Sequence, residues 1–150
     1  NQAADSGANG FIIPDLPPEE GELFEQYCKN RKLSLSYLVA PTSTEARIKL
    51  VSKKTSGFVY LVSLTGVTGA RTKMSNNLQP FVTLVRQHIK QPLALGFGIS
   101  TTSQAQEAGN LVDGVIVGSK LINIAEESDN PPQACGKFVN KMVEALQQNN

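Results

Sequence analysis

Two glycine-bearing segments stand where a short apolar run gives way to helical sequence: Gly96-Phe97-Gly98-Ile99-Ser100 and, one run later, Gly118-Ser119. Glycine lets backbone approach a ligand closely, and N–H groups exposed at a helix start attract anions. Each segment alone fits an ordinary strand-end turn. Two in succession point to a phosphate on a small ligand. A third segment spans residues 65–77 and reads Thr-Gly-Val-Thr-Gly-Ala-Arg-Thr-Lys-Met-Ser-Asn-Asn. It is long against the usual ~2–6 residues of a strand-to-helix connection, and long polar loops of this kind are often lids over a site. Thr68 and Gly69 offer that phosphate a hydroxyl and a backbone donor; a plain surface insertion is the other reading.

The titratable residues suggest less. Asp15 follows the first apolar run and is expected to hold loops rather than to catalyse. Asp113 precedes the last run and should face the opposite end of the sheet. His88 ends an amphipathic stretch and reads as a solvated helix terminus. Arg71 and Lys73 suit loop or subunit contacts, and Lys120 a phosphate-site edge or plain surface. Cys28 and Cys135 lack metal-like spacing and read as packing thiols in a reduced, cytosolic setting. No metal site is expected.

Those loops must be carried by elements, and the elements alternate. Five β-branched or apolar runs are each followed by an amphipathic stretch: Phe11-Ile12-Ile13, residues 33–39, residues 58–62, Leu93-Ala94-Leu95 and residues 114–117. The helices expected between them begin at Pro17-Pro18-Glu19-Glu20, with Leu23, Phe24 and Tyr27 as a buried face. Thr42-Ser43-Thr44 caps a second helix with Ile48, Leu50 and Val51 inward. The others span about residues 78–88, 103–108 and 132–147, the last with Phe138, Met142 and Leu146 on one face. Alternation of this kind implies right-handed crossovers and a parallel sheet covered on both faces. An open doubly wound sheet and part of a (β/α)8 barrel both fit.

The loops favour the barrel. Barrel enzymes often bind phosphate with the loops after strands 7 and 8, and the two glycine segments are the last two loops here. Counting back makes Phe11-Ile12-Ile13 strand 4. A complete barrel needs ~250 residues, whereas this chain has 150. Strands 1–3 are therefore expected upstream of Asn1, and a start without Met agrees with one piece of a longer protein. Residues 1–150 read as a single domain, a partial TIM barrel of about five parallel βα units. Its first and last strands should lack neighbours, and Ile12, Leu38, Tyr60 and Leu95 should line its interior.

Bulk properties narrow the partners. The net charge of +1, from 14 Lys+Arg against 13 Asp+Glu, gives no footprint for nucleic acid or anionic lipid. Hydrophobic content of 40% with 18% charged residues is globular. No apolar run approaches the ~20 residues of a membrane-spanning helix.

The motifs also resemble a known family. Gly10-Phe11-Ile12-Ile13-Pro14-Asp15-Leu16-Pro17-Pro18-Glu19-Glu20 is similar to the fourth strand and helix start of tryptophan synthase α chains. Ala40-Pro41-Thr42-Ser43-Thr44 resembles their fifth loop. Gly57-Phe58-Val59-Tyr60-Leu61-Val62-Ser63 with Gly66-Val67-Thr68-Gly69-Ala70-Arg71 resembles the sixth strand and mobile loop. Gly96-Phe97-Gly98-Ile99-Ser100 and Asp113-Gly114-Val115-Ile116-Val117-Gly118-Ser119 resemble the seventh and eighth strand ends. The likeness runs in unbroken order from about Ala8 to Ile124.

This resemblance implies a lyase of tryptophan biosynthesis that releases indole and glyceraldehyde 3-phosphate from indole-3-glycerol phosphate. It implies phosphate contacts from Thr68, Gly69, Phe97, Gly98, Gly118 and Ser119, and an indole pocket of Ile12, Leu38 and Tyr60. Barrel filling by Ile12 and Leu38 would hold at the same time. The chain itself would carry no cofactor. A β subunit or fused β domain with pyridoxal phosphate would take the indole, in the cytoplasm. The family's Glu and Asp acid–base pair, in a Pro-Phe-Ser-Asp-Pro type motif, has no counterpart here, so no catalytic residue is assigned. Two other readings stand beside this one: another phosphate-binding barrel, disfavoured by the Gly-Val-Thr-Gly-Ala-Arg loop, and a non-catalytic half-barrel or binding module.

Overall fold

A computed structural model describes residues 2–62, 77–96 and 98–147. Its strands are β1 (Gly10–Ile12), β2 (Ser34–Ser36), β3 (Leu38–Val39), β4 (Val59–Val62), β5 (Leu93–Gly96) and β6 (Gly114–Val115). The helices are α1 (Gln2–Asp5), α2 (Glu22–Asn30), α3 (Glu45–Lys54), α4 (Leu78–Arg86), α5 (Thr102–Gly109), α6 (Ser119–Glu127) and α7 (Pro131–Gln147). Every strand pairing is parallel, β1 with β2 and then β3-β4-β5-β6 in order.

The run 33–39 was expected as one strand and is divided at Tyr37. The cause is a change of partner. On one edge Ser34 N–H donates to the Asn9 carbonyl at 2.9 Å; on the other the Leu35 and Tyr37 carbonyls accept from Ser56 and Tyr60 N–H at 3.1 and 3.0 Å. Its first half runs beside β1 and its second half beside β4, so five successive parallel strands are linked edge to edge. Among the described residues β1 and β6 each have a neighbour on one edge only.

One face of this sheet is sealed by helices. Leu35, Val39, Val59, Leu61, Leu93 and Leu95 are at most 1% exposed and pack with Ile48 and Val51 of α3 and Val82 and Val85 of α4. Burying an aliphatic side chain contributes about 1.5–3 kcal/mol, so this layer carries most of the fold's cohesion. Leu95 therefore corrects one expectation: it shares a row with Leu61 and Val39, beneath the helices, and not the barrel interior.

Polar side chains tie the helices to the sheet. Tyr37 Oη donates to Glu25 Oε1 at 2.7 Å, and Lys54 Nζ reaches the same oxygen at 3.0 Å, joining α2, the β2–β3 junction and α3. Burial, then the bond to Glu25, pushes the Tyr37 hydroxyl well above the usual phenol range. Gln91 Nε2 donates to the Ser52 and Thr55 carbonyls at 2.6 and 3.2 Å and closes the end of α3.

Two further expectations change. Pro17 to Glu20 form turns and α2 begins at Glu22; its inward residues are Phe24, edge-on to Phe11 at 5.3 Å, and Cys28. Leu23 and Tyr27 instead stand 64% and 62% exposed, one turn apart on a stripe that no described element covers. His88 is not a solvated terminus. Its Nε2 lies 3.3 Å from Glu45 Oε1 and its carbonyl accepts from Ser52 Oγ at 2.8 Å, which ties the turn after α4 to α3.

Candidate functional site

Adjacent parallel strands deliver their C-terminal ends to one rim. There β5 ends at Gly96 and β6 continues beside it, Ile116 N–H donating to the Leu95 carbonyl at 2.8 Å. The last paired residues are Leu95 and Val115, three residues before Gly98 and Gly118 respectively. The two glycine loops therefore leave from the ends of neighbouring strands.

The first loop turns at Gly98, whose φ of 81° lies in the left-handed region that side chains disfavour. It then enters α5 through a capping box. Thr101 Oγ1 accepts from Gln104 N–H at 3.2 Å, and Gln104 Oε1 accepts from the Ser100 and Thr101 N–H groups at 2.9 and 3.2 Å. Two backbone donors are consumed inside the cap, so any anion at this loop must be met by the residues before Ser100. The Thr101-x-x-Gln104 pattern is a helix-start signal legible in the sequence that the site reading did not use.

The second loop leads straight into α6. Gly118 is the N-cap, and among the described residues no side chain bonds this helix start. Its carbonyl accepts from the Leu121 and Ile122 N–H groups at 2.8 and 3.2 Å, leaving Ser119 and Lys120 at the front of the first turn. Gly118 and Ser119 are both exposed. A Cβ placed on Gly118 would meet nothing within 4 Å. An uncapped helix terminus facing open space has the electrostatics of an anion seat. Thr68, Gly69 and Phe97, the other expected phosphate contacts, lie outside the described residues, as do Arg71 and Lys73.

Below the rim, the sheet face away from the helices carries the expected pocket residues. Leu38, Tyr60, Ala94 and Gly114 form one cross-strand row, and Ile12 pairs with Ser36 one pleat below it. Leu38 and Tyr60 are half-buried and Ile12 is 42% exposed. Tyr60 leans across the next strand: a Cβ on Gly96 would fall 2.0 Å from its Oη and 2.3 Å from its Cζ. The ring therefore lies on the Gly96 backbone, close to the glycine loop, and burial raises its hydroxyl above the ordinary phenol range. Ala94, Gly96 and Gly114 are the small residues of this face, beside Tyr60 and Leu38.

Acid–base groups are sparse here. Asp15 follows β1 in a turn and is exposed. Asp113 sits at the far end of the sheet, as its place in the sequence suggested, where its Oδ2 accepts from Leu93 N–H at 2.7 Å and from the Arg86 guanidinium. Burial opposes its ionisation, yet the Leu93 amide and Arg86 outweigh that and hold the carboxyl below its ordinary range. Among the described residues no cluster of His, Cys, Asp or Glu could hold a metal ion, and no helix is long and apolar enough to cross a membrane. An open groove of about 430 Å³ lined by Gln79, Thr83 and Arg86 of α4 with Asn110 and Leu111 lies on the outer helical layer, away from the glycine loops.

Known proteins share the sequence and the fold. The family model described as "Tryptophan synthase alpha chain" matches residues 1–149. The chain is 43% identical over 145 residues to the tryptophan synthase α chain of Dehalococcoides mccartyi, covering 97% of this chain and 56% of that one. It is 45% identical over 141 residues to the α chain of a Roseiflexus species, covering 94% and 52%. The crystal structure of tryptophan synthase subunit α from Legionella pneumophila superposes with a TM-score of 0.85 at 32% identity, covering 98% of this chain and 55% of that one. The chain thus spans about half the length of the relatives it matches, and its five linked parallel strands are part of a (β/α)8 barrel. From its motifs, its sheet and these matches, the chain belongs to the tryptophan synthase α chain family.

Proposed function

We propose that this chain supplies the phosphate seat and one wall of the indole pocket in a barrel that cleaves indole-3-glycerol phosphate to indole and glyceraldehyde 3-phosphate. The observation that supports the reading is that the Gly98 turn and the Gly118–α6 start follow neighbouring parallel strands, β5 and β6, at the same end of the sheet that carries the Leu38–Tyr60 row. An anion seat beside an apolar wall suits a ligand that is phosphate at one end and indole at the other. Gly98, Gly118 and Ser119 would meet the phosphate, joined by Thr68, Gly69 and Phe97. Ile12, Leu38 and Tyr60 would face the ring. Asp15 would support the neighbouring loop.

The cleavage breaks the bond from indole C3 to the glycerol chain. It requires a proton delivered to C3 and one removed from the hydroxyl that becomes the aldehyde. Nothing in residues 1–150 is assigned either task. Both belong to the Glu and Asp of the barrel's other half, residues 1–150 being the domain that holds strands 4–8. No cofactor is needed on this chain. Its partner would be a β subunit or fused β domain carrying pyridoxal phosphate, which consumes the indole in the cytoplasm.

The test is indole release. The purified 150-residue chain should show none, since acid and base groups contribute ~10²–10⁴-fold each. Fusing the N-terminal segment of the Dehalococcoides α chain ahead of Asn1 should restore it. Activity of the isolated chain near that of a complete α chain would overturn the assignment of chemistry upstream, and an inactive but folded fusion would overturn the reaction.

A further inference from the structure

The sequence holds one Asn-Gly step, Asn9-Gly10, and one Asp-Gly step, Asp113-Gly114. Each stands where a loop enters a strand, β1 in the first case and β6 in the second. Glycine has no Cβ to shield its backbone nitrogen, so the side-chain carbonyl carbon of the residue before it is open to attack from within the chain. The two steps differ in what holds them. Asp113 Oδ2 accepts from Leu93 N–H at 2.7 Å and from the Arg86 guanidinium, and the Asp113 N–H donates to the Leu93 carbonyl at 2.9 Å. Side chain and backbone are both pinned. The carboxyl, held below its ordinary range, also stays ionised, and a carboxylate is a poor target for an amide nitrogen.

Asn9 has the opposite setting. Asn9 and Gly10 are both exposed. The segment before them is α1, a single turn with no buried residue, followed by Gly7 at a φ of 89°. One turn is too short to hold itself in water. The Asn9 carbonyl accepts from Ser34 N–H at 2.9 Å, the first bond of the β1–β2 ladder. Ends of this kind open at little free-energy cost. Gly10 cannot be exchanged for a residue that would shield its nitrogen. A Cβ there would fall 2.5 Å from the Ser34 carbonyl oxygen and 2.9 Å from Ser34 Cβ, so β1 reaches its register with β2 only through glycine.

We propose that Asn9-Gly10 is a site of spontaneous deamidation in the folded chain, while Asp113-Gly114 is protected by the Leu93 amide and Arg86. The Gly10 nitrogen gives its proton to solvent base and attacks Asn9 Cγ. A C–N bond forms, the bond from Cγ to the side-chain nitrogen breaks, and ammonia leaves with a proton from water. The product is a five-membered succinimide. Water then opens the ring on one of two sides. Breaking the bond from the ring nitrogen to Cγ gives aspartate; breaking the bond to the main-chain carbonyl carbon gives isoaspartate. Nothing is oxidised or reduced, and water is the co-reactant. Either product replaces a neutral amide by a carboxylate and removes the formal net charge of +1. Isoaspartate also inserts an extra atom into the main chain, directly before the register Gly10↔Ser34, Phe11↔Leu35 and Ile12↔Ser36. Modification at Asn9 therefore loosens β1 from β2.

The test ages the 150-residue chain in mildly alkaline buffer, folded in one series and chemically denatured in another. Tryptic peptides are followed by mass spectrometry, with fragmentation to place each change. The peptide ending at Lys29 carries Asn9 and should gain about one dalton on deamidation. Isoaspartate at either site is read by methyl transfer from S-adenosylmethionine with an isoaspartyl methyltransferase as reagent. Folding should slow conversion at Asn9 by less than about tenfold and at Asp113 by more than about tenfold. Asn9→Gln should abolish the change in the first peptide. After equal ageing, the parent should show a lower denaturation midpoint than Asn9→Gln. Protection of Asn9 by more than about tenfold on folding, or conversion of Asp113 in the folded chain at nearly its denatured rate, overturns the proposal. Equal midpoints for the aged parent and aged Asn9→Gln overturn the loosening of β1.

Discussion

Placing a methyl group on Gly96 offers the sharpest probe of the proposed pocket. A Cβ there would sit 2.0 Å from Tyr60 Oη, 2.3 Å from Cζ and 2.5 Å from Cε1. All three are far below carbon–carbon contact, and the group that must yield is a ring. Tyr60 is anchored on β4 by pairing to Leu38 on one side and Ala94 on the other, so the backbone cannot withdraw. The ring must swing toward the open side of the sheet, off its present rotamer or into another. Overpacking of this kind costs about 1–3 kcal/mol. Part of that is relieved because the face is only half-buried, so the lower half of the range is expected in the isolated chain. In a closed barrel, where the opposite wall removes the escape, the cost should rise toward the upper half. Chemical denaturation of Gly96→Ala, Tyr60→Ala and the double variant checks the reasoning. The double variant should recover most of the loss caused by Gly96→Ala, with a coupling of about 1 kcal/mol or more. Strict additivity within about 0.3 kcal/mol would show that the ring does not lie on Gly96.

Other perturbations separate the site from the scaffold. Gly118→Val should lower stability by about 1 kcal/mol, because glycine is preferred over valine at a helix N-cap although a Cβ there meets nothing within 4 Å, while abolishing glycerol 3-phosphate binding by the completed barrel in calorimetry. Thr101→Ala removes the hydroxyl that accepts Gln104 N–H at 3.2 Å and should cost about 1 kcal/mol of stability by denaturant titration. Asp113 has a folded-state pKa below its unfolded value, so its contribution is present above the unfolded pKa and lost as pH falls through the folded one. Asp113→Asn should therefore flatten the decline in stability on the acid side of its ordinary pKa and leave the neutral-to-alkaline side parallel to the parent.

Much of the fold was legible because parallel strands covered on both faces are written as apolar runs, and five such runs alternated with amphipathic stretches. The same property hid the orientation of Leu95. A run apolar at every position carries no period-two signal, so only pairing with Leu61 reveals which way it points. Leu23 and Tyr27 misled for a different reason. Apolar spacing on a helix records all the neighbours the helix evolved against, including any that these 150 residues do not contain. α1 was not foreseen; it is a single turn held by the Asp5–Arg31 ion pair, a contact 26 residues distant in sequence that no local pattern encodes. Of the site, the glycine loops and the Leu38–Tyr60 row could be named from motifs. The contact of Tyr60 with Gly96 could not, since it depends on β4–β5 register. The commitment of the Ser100 and Thr101 N–H groups to Gln104 could have been read from the capping pattern.

The two faces of the sheet lead to one further conclusion about how binding and folding are linked. The helix-side residues are sealed within this chain, and they would stay sealed whether or not the barrel closes. The face carrying Ile12, Leu38 and Tyr60 is the one left open, and it is also the face proposed to meet the indole ring. Closure and ring recognition therefore draw on the same apolar surface. The phosphate end differs: Gly98, Gly118 and the start of α6 are positioned by β5, β6 and the α5 cap, all internal to the chain. A ligand's phosphate would find its seat organised before the ring finds its wall. Within these 150 residues the proposed indole pocket has one wall, the Leu38–Tyr60 row.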